Sequence, residues 1–307
     1  MDDYKNLTAI HRIADLGGSG TGKSNTAYVI IREIRKKKHP TIILDTSDDY
    51  GDLAKTGLFK IYNAHKINGR SLAGKLRRTH QSAIVKFTRM KDLEDRRKWM
   101  SNFLEGCFEK KNRIPSLIVI DEAHNFIPQE FSKDPVQKKC KFMGNKLLSE
   151  GRKWGWGSLI VSQRAAKIDK NSLAECDRLI IHRHTLKKDQ QTLDGYVGSF
   201  GIDAKKDIKE LKIGEAFDLD VVNNSLEKYM MPLDRTKKLG RTPKARGVEP
   251  VKDTFWGRIK EMDIGLEAND VNIAIGTITV VSIILIIVAI AIHINQKEII
   301  DTGLDEE

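Results

Sequence analysis

One glycine-rich octapeptide, G-G-S-G-T-G-K-S at residues 17–24, narrows this chain to folds that bind phosphate. A short apolar run, residues 13–16, precedes it, and residues 25–38 repeat apolar positions with a helical period and end in a basic turn. Loops of the pattern G-x-x-x-x-G-K-S direct backbone N–H groups at phosphate oxygens. The order strand, glycine loop, helix therefore predicts a phosphate-binding loop (P-loop), and nucleotide hydrolysis is the leading hypothesis.

The residue types in this loop predict individual roles. Lys23 is expected to reach the β and γ phosphates, and the hydroxyl of Ser24 to ligate Mg²⁺. The predicted cofactors are accordingly ATP and Mg²⁺. The other predicted nucleotide-binding residues are Gly17, Gly18, Ser19, Gly20, Thr21, Gly22 and Asn25.

A second motif supplies the acids that a P-loop requires. The apolar run 117–120 ends in Asp121 and Glu122, a Walker B pattern. Asp121 is predicted to hold the water shell of the metal, and Glu122 to orient and polarise the attacking water. The next apolar run, 158–162, ends in Gln163, which an adjacent parallel strand could bring beside the γ-phosphate. A glutamine that only caps the following helix is an equally open interpretation.

Charge is distributed unevenly along the chain, whose net charge is +11. Nine Lys and Arg residues oppose three acids between residues 232 and 260, whereas one lysine opposes five acids after residue 295. This asymmetry predicts contact with a membrane or a nucleic acid. The three cysteines are widely spaced and lack a C-x-x-C pair, which argues against a disulfide framework or a zinc site.

Residues 271–294 contain no Asp, Glu, Lys or Arg, and 24 residues are enough for one transmembrane helix. The positive-inside rule then predicts a single-pass membrane protein with its ATPase domain in the cytoplasm and its tail across a host or virion membrane. The predicted division is an ATPase domain, a basic linker, the span and an acidic tail, at residues 1–233, 234–270, 271–294 and 295–307.

Four segments resemble the HerA/FtsK superfamily in the same order along the chain: G-K-S-N at 22–25, D-E-A-H at 121–124, E-G-R-K-W-G at 150–155 and S-Q-R at 162–164. The resemblance extends over roughly residues 12–233. It implies a hexameric, ATP-driven DNA translocase, and it gives Gln163 the sensor position. Arg152 is the first candidate for an arginine that completes the site from the same or an adjacent subunit, and Arg12 is the second.

We therefore expect an α/β fold of the P-loop NTPase type (RecA/ASCE-like), with three layers and a mainly parallel sheet. The expected partners are sequence-neutral DNA, most simply double-stranded, a membrane, further copies in a hexameric ring, and virion or secretion components. The expected activity is an ATPase that moves or packages DNA for a virus or a mobile element. His182 and His184 are predicted to face solvent or a neighbouring chain, because no nearby cysteine or acid completes a metal site.

Two alternatives remain open at this stage. A membrane span after an ATPase domain is similar to the Zot-like assembly ATPases of filamentous phages, which would extrude DNA. The second alternative is a membrane-tethered nucleotide switch that does not translocate DNA. The D-E-A-H segment is also found in two-lobed helicases, but residues 164–231 are too few for a second lobe.

Overall fold

The structure is a computed structural model that describes residues 6–234. Its strands are β1 Arg12–Leu16, β2 Thr41–Asp45, β3 Lys60–Asn63, β4 Ala83–Lys86, β5 Ser116–Ile120, β6 Trp156–Ser162, β7 Arg178–Ile181, β8 Glu215–Asp220 and β9 Ser225–Met230. Its helices are α1 Lys23–Lys36, α2 Gly51–Ala54, α3 Gly69–Thr79, α4 Leu93–Cys107, α5 Pro135–Glu150, α6 Lys170–Ala174 and α7 Lys187–Val197. Short 3-10 turns and one π turn join several of them.

These strands form one nine-stranded sheet in the order β3-β4-β2-β5-β6-β1-β7-β8-β9. β1 to β7 pair in parallel, and β8 and β9 add to the β7 edge in antiparallel register. The parallel strands therefore all end at the same edge of the sheet, where ligands bind in open α/β sheets. The predicted α/β fold with a mainly parallel sheet is confirmed.

Alternation along the central strands divides the core into two layers, because successive side chains of a strand point to opposite faces. Ile118 and Ile120 of β5 join the cluster under α3, α4, α5 and α7. Leu117 and Val119 join the cluster under α1 and α2. Every residue of β5 is buried, as expected for a strand covered by helices on both faces.

Local sequence determines where the helices that flank the site begin. α1 begins at Lys23, directly after Gly22, whose φ of 118° lies in a region that favours glycine. Asp134 caps α5 by accepting two backbone N–H bonds, and a proline occupies the first turn of that helix. These signals fix α1 immediately behind the P-loop and α5 behind the Walker B loop.

The predicted single-pass membrane localisation requires correction. Among residues 6–234, no helix is both long enough and apolar enough to cross a membrane. The predicted span at 271–294 and the acidic tail at 295–307 lie outside the described residues, as does the basic linker beyond its first residue. The membrane as a partner has no support from the described part of the chain.

Candidate active site

The P-loop connects β1 to α1 and is tied to the two strands beside β1. The Gly17 N–H donates to Ser162 O at 3.2 Å, at the end of β6, and the Gly18 N–H donates to Arg183 O at 2.9 Å, after β7. The Lys23 ammonium lies over the loop and donates to Gly18 O at 2.8 Å. The loop is therefore held at the carboxyl edge of the sheet with its lysine folded across it.

The lysine lies within an acidic environment. Burial lowers the pKa of Lys23, and the carboxylates of Asp15, Glu122, Asp121 and Asp49 oppose that shift. A largely buried lysine that keeps its positive charge can stabilise the negative charge of phosphate groups.

The first Walker B acid, Asp121, follows β5 at the same edge of the sheet. Its Oδ2 accepts hydrogen bonds from Ser47 Oγ and, at 3.3 Å, from Thr46 Oγ1. Burial raises the pKa of Asp121, whereas these hydroxyls oppose the shift. The Ser24 hydroxyl donates to Asp49 Oδ2 at 3.4 Å. Ser24 and Asp121 therefore both contact the loop that follows β2.

These oxygens fit Mg²⁺. Magnesium in nucleotide enzymes is held by one or two carboxylates together with phosphates and water, at oxygen ligands. No group of three or more His, Cys, Asp or Glu side chains that could hold a metal ion alone occurs among residues 6–234. Ser24 and Asp121 are the residues that would hold Mg²⁺ together with a nucleotide.

Glu122 is the group best suited to activate water. It adopts a left-handed backbone conformation with a φ of 47°. Burial raises its pKa to about 7, and the charge of Asp121 adds to the increase, whereas Lys23 and the Gln163 N–H oppose it. A carboxyl with a pKa near the working pH can accept a proton from water efficiently.

His124 adjoins Glu122 and is neutral near pH 7. Its Nδ1 lies 3.2 Å from Glu122 Oε2 and 3.1 Å from Ser162 Oγ. Burial, helped by nearby Lys167 and Arg164, lowers the pKa of His124 to about 4. The imidazole therefore lies beside the Glu122 carboxyl without adding a charge.

Gln163 follows β6, which lies between the Walker B strand β5 and the P-loop strand β1. This strand order brings Gln163 between the two motifs, with its N–H directed at Glu122. Gln163 also lines a cleft that begins at Gly18 and Ser19. The structure thus brings together the P-loop, both Walker B acids and the predicted sensor.

The structure does not bring Arg152 or Arg12 to this site. Arg152 is exposed in the turn before β6, and Arg12 is the first residue of β1. Both lie at the amino ends of parallel strands, and so at the edge opposite the P-loop. Arg12 is also paired with Glu175 at 3.1 Å and with Asp177. Neither arginine can complete the site of its own subunit.

The side-chain amide of Asn25 is engaged with the segment that follows β9. Its Nδ2 donates to Pro232 O at 2.8 Å, and its Oδ1 accepts from the Asp234 N–H at 2.9 Å. Arg32, further along α1, pairs with Asp234 at 3.0 Å. The Asn25 amide therefore ties α1 to the segment after β9.

Sequence reasoning missed the residues that support the loop. Thr46, Ser47 and Asp49 follow β2 at the carboxyl edge, and the polar run T-S-D-D at 46–49 was the available signal. His182 and His184 were expected to face solvent or a neighbouring chain, whereas both side chains are buried. Their positions depend on where β7 lies, which local sequence does not show.

Comparison with known proteins agrees with this geometry. The family described as helicase HerA, central domain, matches residues 6–75. A probable DNA double-strand break repair helicase HerA of Methanocaldococcus jannaschii is 33% identical over 115 residues, covering 38% of this chain and 22% of that protein. The DNA double-strand break repair helicase HerA of Saccharolobus solfataricus is 23% identical over 220 residues, covering 72% of this chain and 40% of that protein. The chain therefore spans less than half the length of these curated relatives.

A solved structure shows the same fold. The genome packaging NTPase B204 of Sulfolobus turreted icosahedral virus 2, in complex with ATP-gammaS, superposes with a TM-score of 0.54 at 17% identity. The match covers 74% of this chain and 100% of that one. Fold and site together define the class as P-loop NTPases with a mainly parallel sheet. Within that class, residues 6–75, less than a quarter of the chain, are similar in sequence to the central domain of helicase HerA.

Proposed function

We propose that this protein hydrolyses ATP and uses the energy to move double-stranded DNA, as in the packaging or transfer of a viral or mobile genome. The observation that carries the proposal is the order β5-β6-β1, which gathers Lys23, Glu122 and Gln163 at one edge of the sheet. Similarity to helicase HerA and to a genome packaging NTPase supports DNA as the cargo.

Each residue has a separate role in the proposed reaction. Glu122 accepts a proton from the attacking water, and Gln163 orients that water against the γ-phosphate. Lys23 stabilises negative charge on the transferred phosphoryl group. Mg²⁺, when bound with ATP through Ser24 and Asp121, supplies further charge neutralisation.

We infer that the working form is a ring, most simply a hexamer. The position of Arg152 supports this inference, because an exposed arginine at the edge opposite the P-loop can reach a nucleotide only in a neighbouring subunit. Arg12 is engaged with Asp177 and is the weaker candidate. A net charge of +11 favours DNA binding through phosphates, which is independent of base sequence and sensitive to salt.

ATP hydrolysis by the full chain tests the proposal, measured alone, with duplex DNA and with single-stranded DNA. We expect duplex DNA to stimulate hydrolysis and rising salt to weaken that stimulation. Lys23→Ala and Glu122→Gln should each abolish hydrolysis, whereas Lys36→Ala, an exposed position on the same helix, should not. Hydrolysis indifferent to every DNA, or unaffected by Glu122→Gln, would contradict the proposal.

A further inference from the structure

The loop between β7 and α7 borders the P-loop and forms one wall of a cleft. Arg183 O in this loop accepts the Gly18 N–H at 2.9 Å, so the two loops are directly joined. The cleft has a volume of about 450 Å³ and is lined by Gly18 and Ser19 on one side and by Gln163 and His184 on others. Two parts of the proposed site, the P-loop and the sensor, therefore open into the space that His184 lines.

His184 has an incomplete set of hydrogen bonds. Its side chain is 1% exposed, and its Nε2 is buried without a hydrogen-bond partner among residues 6–234. The backbone beside it is fixed, since Gln190 Nε2 donates to His184 O at 2.9 Å. Buried polar atoms in native proteins are nearly always paired, so an orphaned one on a residue that lines a cleft is a candidate for pairing with a ligand.

The chemistry of the ring specifies what it can bind. Burial lowers the pKa of His184 to about 3, and the charges of Lys23, His182 and Arg164 act in the same direction. The imidazole is therefore neutral near pH 7 and carries one N–H donor. Lys23 donates to Gly18 O, and Gly18 lines the same cleft as His184, so the two side chains border one part of the proposed site.

We propose that His184 donates a hydrogen bond from Nε2 to the terminal phosphate of ATP and thereby makes the site prefer ATP over ADP. The inference rests on the proposed function, because it assumes that Lys23 binds the β and γ phosphates. Glu122 and Gln163 face the γ-phosphate if the protein hydrolyses ATP, and His184 lines the cleft that contains Gln163. ADP has no γ-phosphate, so its binding should not depend on this contact.

The test compares two substitutions in the full chain by equilibrium binding of ATP-gammaS, of ADP, and of ADP with inorganic phosphate. His184→Leu removes the donor, and we expect it to weaken ATP-gammaS binding roughly tenfold or more while ADP binding changes less than about twofold. His184→Gln, which retains an Nε2–H donor, should recover most of the loss. His65→Ala, an exposed histidine far from the loop, is the matched control.

The outcomes separate this inference from the proposed function. Three results for His184→Leu would overturn the role of His184 and leave the ATPase intact. These are equal losses of affinity for ATP-gammaS and ADP, no loss of affinity for either nucleotide, and a loss confined to phosphate binding in the presence of ADP. A wild-type chain that binds no nucleotide would overturn both. Thermal unfolding of each variant identifies any loss that comes from misfolding.

A second measurement uses the wild-type protein and needs no variant to fold. Imidazole ¹⁵N resonances of the full chain are recorded without nucleotide, with ADP and with ATP-gammaS. We expect one buried, neutral imidazole to change its Nε2 shift with ATP-gammaS and not with ADP. A spectrum in which no neutral histidine distinguishes the two nucleotides would refute the contact.

Discussion

Asp15 and His182 form a fully buried pair beneath the P-loop, with His182 Nε2 3.2 Å from Asp15 Oδ1 and both side chains 0% exposed. His182 Nδ1 lies 3.1 Å from Glu215 O, and since a carbonyl can only accept, Nδ1 carries a proton. Thr26 Oγ1 lies 3.0 Å from the Nε2. The imidazole, which directly follows β7, thus contacts β1, α1 and β8 close to the start of the P-loop.

Replacing His182 by Leu should destabilise the fold and disorder the P-loop together. Removing one member of a buried, hydrogen-bonded polar network costs about 1 to 3 kcal/mol, because the Glu215 carbonyl and the Thr26 hydroxyl lose their contacts with the imidazole. We expect the free energy of unfolding in urea to fall by about that amount and ATP binding to be lost. His65→Ala is the control, and an unfolding midpoint equal to that of the wild type would contradict this role for the pair.

The glycines of the loop should differ sharply in their tolerance of a methyl group. A Cβ at Gly17 would lie 2.5 Å from the His182 Cβ and 2.7 Å from Thr21 Oγ1, so Gly17→Ala must displace the loop and should abolish nucleotide binding. A Cβ at Gly20 meets nothing within 4 Å, although its φ is +73°. Gly20→Ala should cost only about 1 to 2 kcal/mol of stability. Equal ATP affinities for the two variants, measured by calorimetry, would disprove this distinction.

Asn25→Ala distinguishes the sequence-based role of Asn25 from the one its contacts indicate. Two hydrogen bonds to Pro232 and Asp234 are lost, so we expect the free energy of unfolding to fall by about 1 to 2 kcal/mol. ATP affinity should stay close to that of the wild type, in contrast to Lys23→Ala. A large loss of affinity at unchanged stability would instead support the predicted nucleotide contact.

Acid should destabilise the wild type more than His184→Gln. The folded-state pKa of His184 lies near 3 against an ordinary value of 6.5, so the unfolded chain binds the proton more tightly. The stability gained by burying the neutral ring is present above pH 6.5 and is lost as the pH falls towards 3. Below pH 6.5, the difference in unfolding free energy between the two proteins should change by up to about 1.4 kcal/mol per pH unit. Urea titrations of both proteins at pH 7, 6 and 5 measure this difference in unfolding free energy. A difference that stays constant over this pH range would exclude a buried neutral His184.

Much of the fold could be predicted because its signals are local. The apolar runs at 117–120 and 158–162 became β5 and β6, since a parallel strand buried on both faces is apolar on both faces. The helix after the glycine loop was predicted from its period and became α1. Asp15 is an unusual residue for the buried strand β1, and its partner His182 lies too far along the chain for a local pattern to indicate it.

The sequence by itself determined the chemistry of the P-loop and of the Walker B acids, because each motif is a run of consecutive residues with fixed local geometry. Only the tertiary structure decided which distant residues share that edge of the sheet. Strand order placed Gln163 between the motifs. The parallel direction of β6 placed Arg152 at the opposite edge of the sheet. Packing buried His182 against Thr26, 156 positions away. Contacts of this kind arise from packing between strands and helices that are remote in sequence, and no local pattern encodes them.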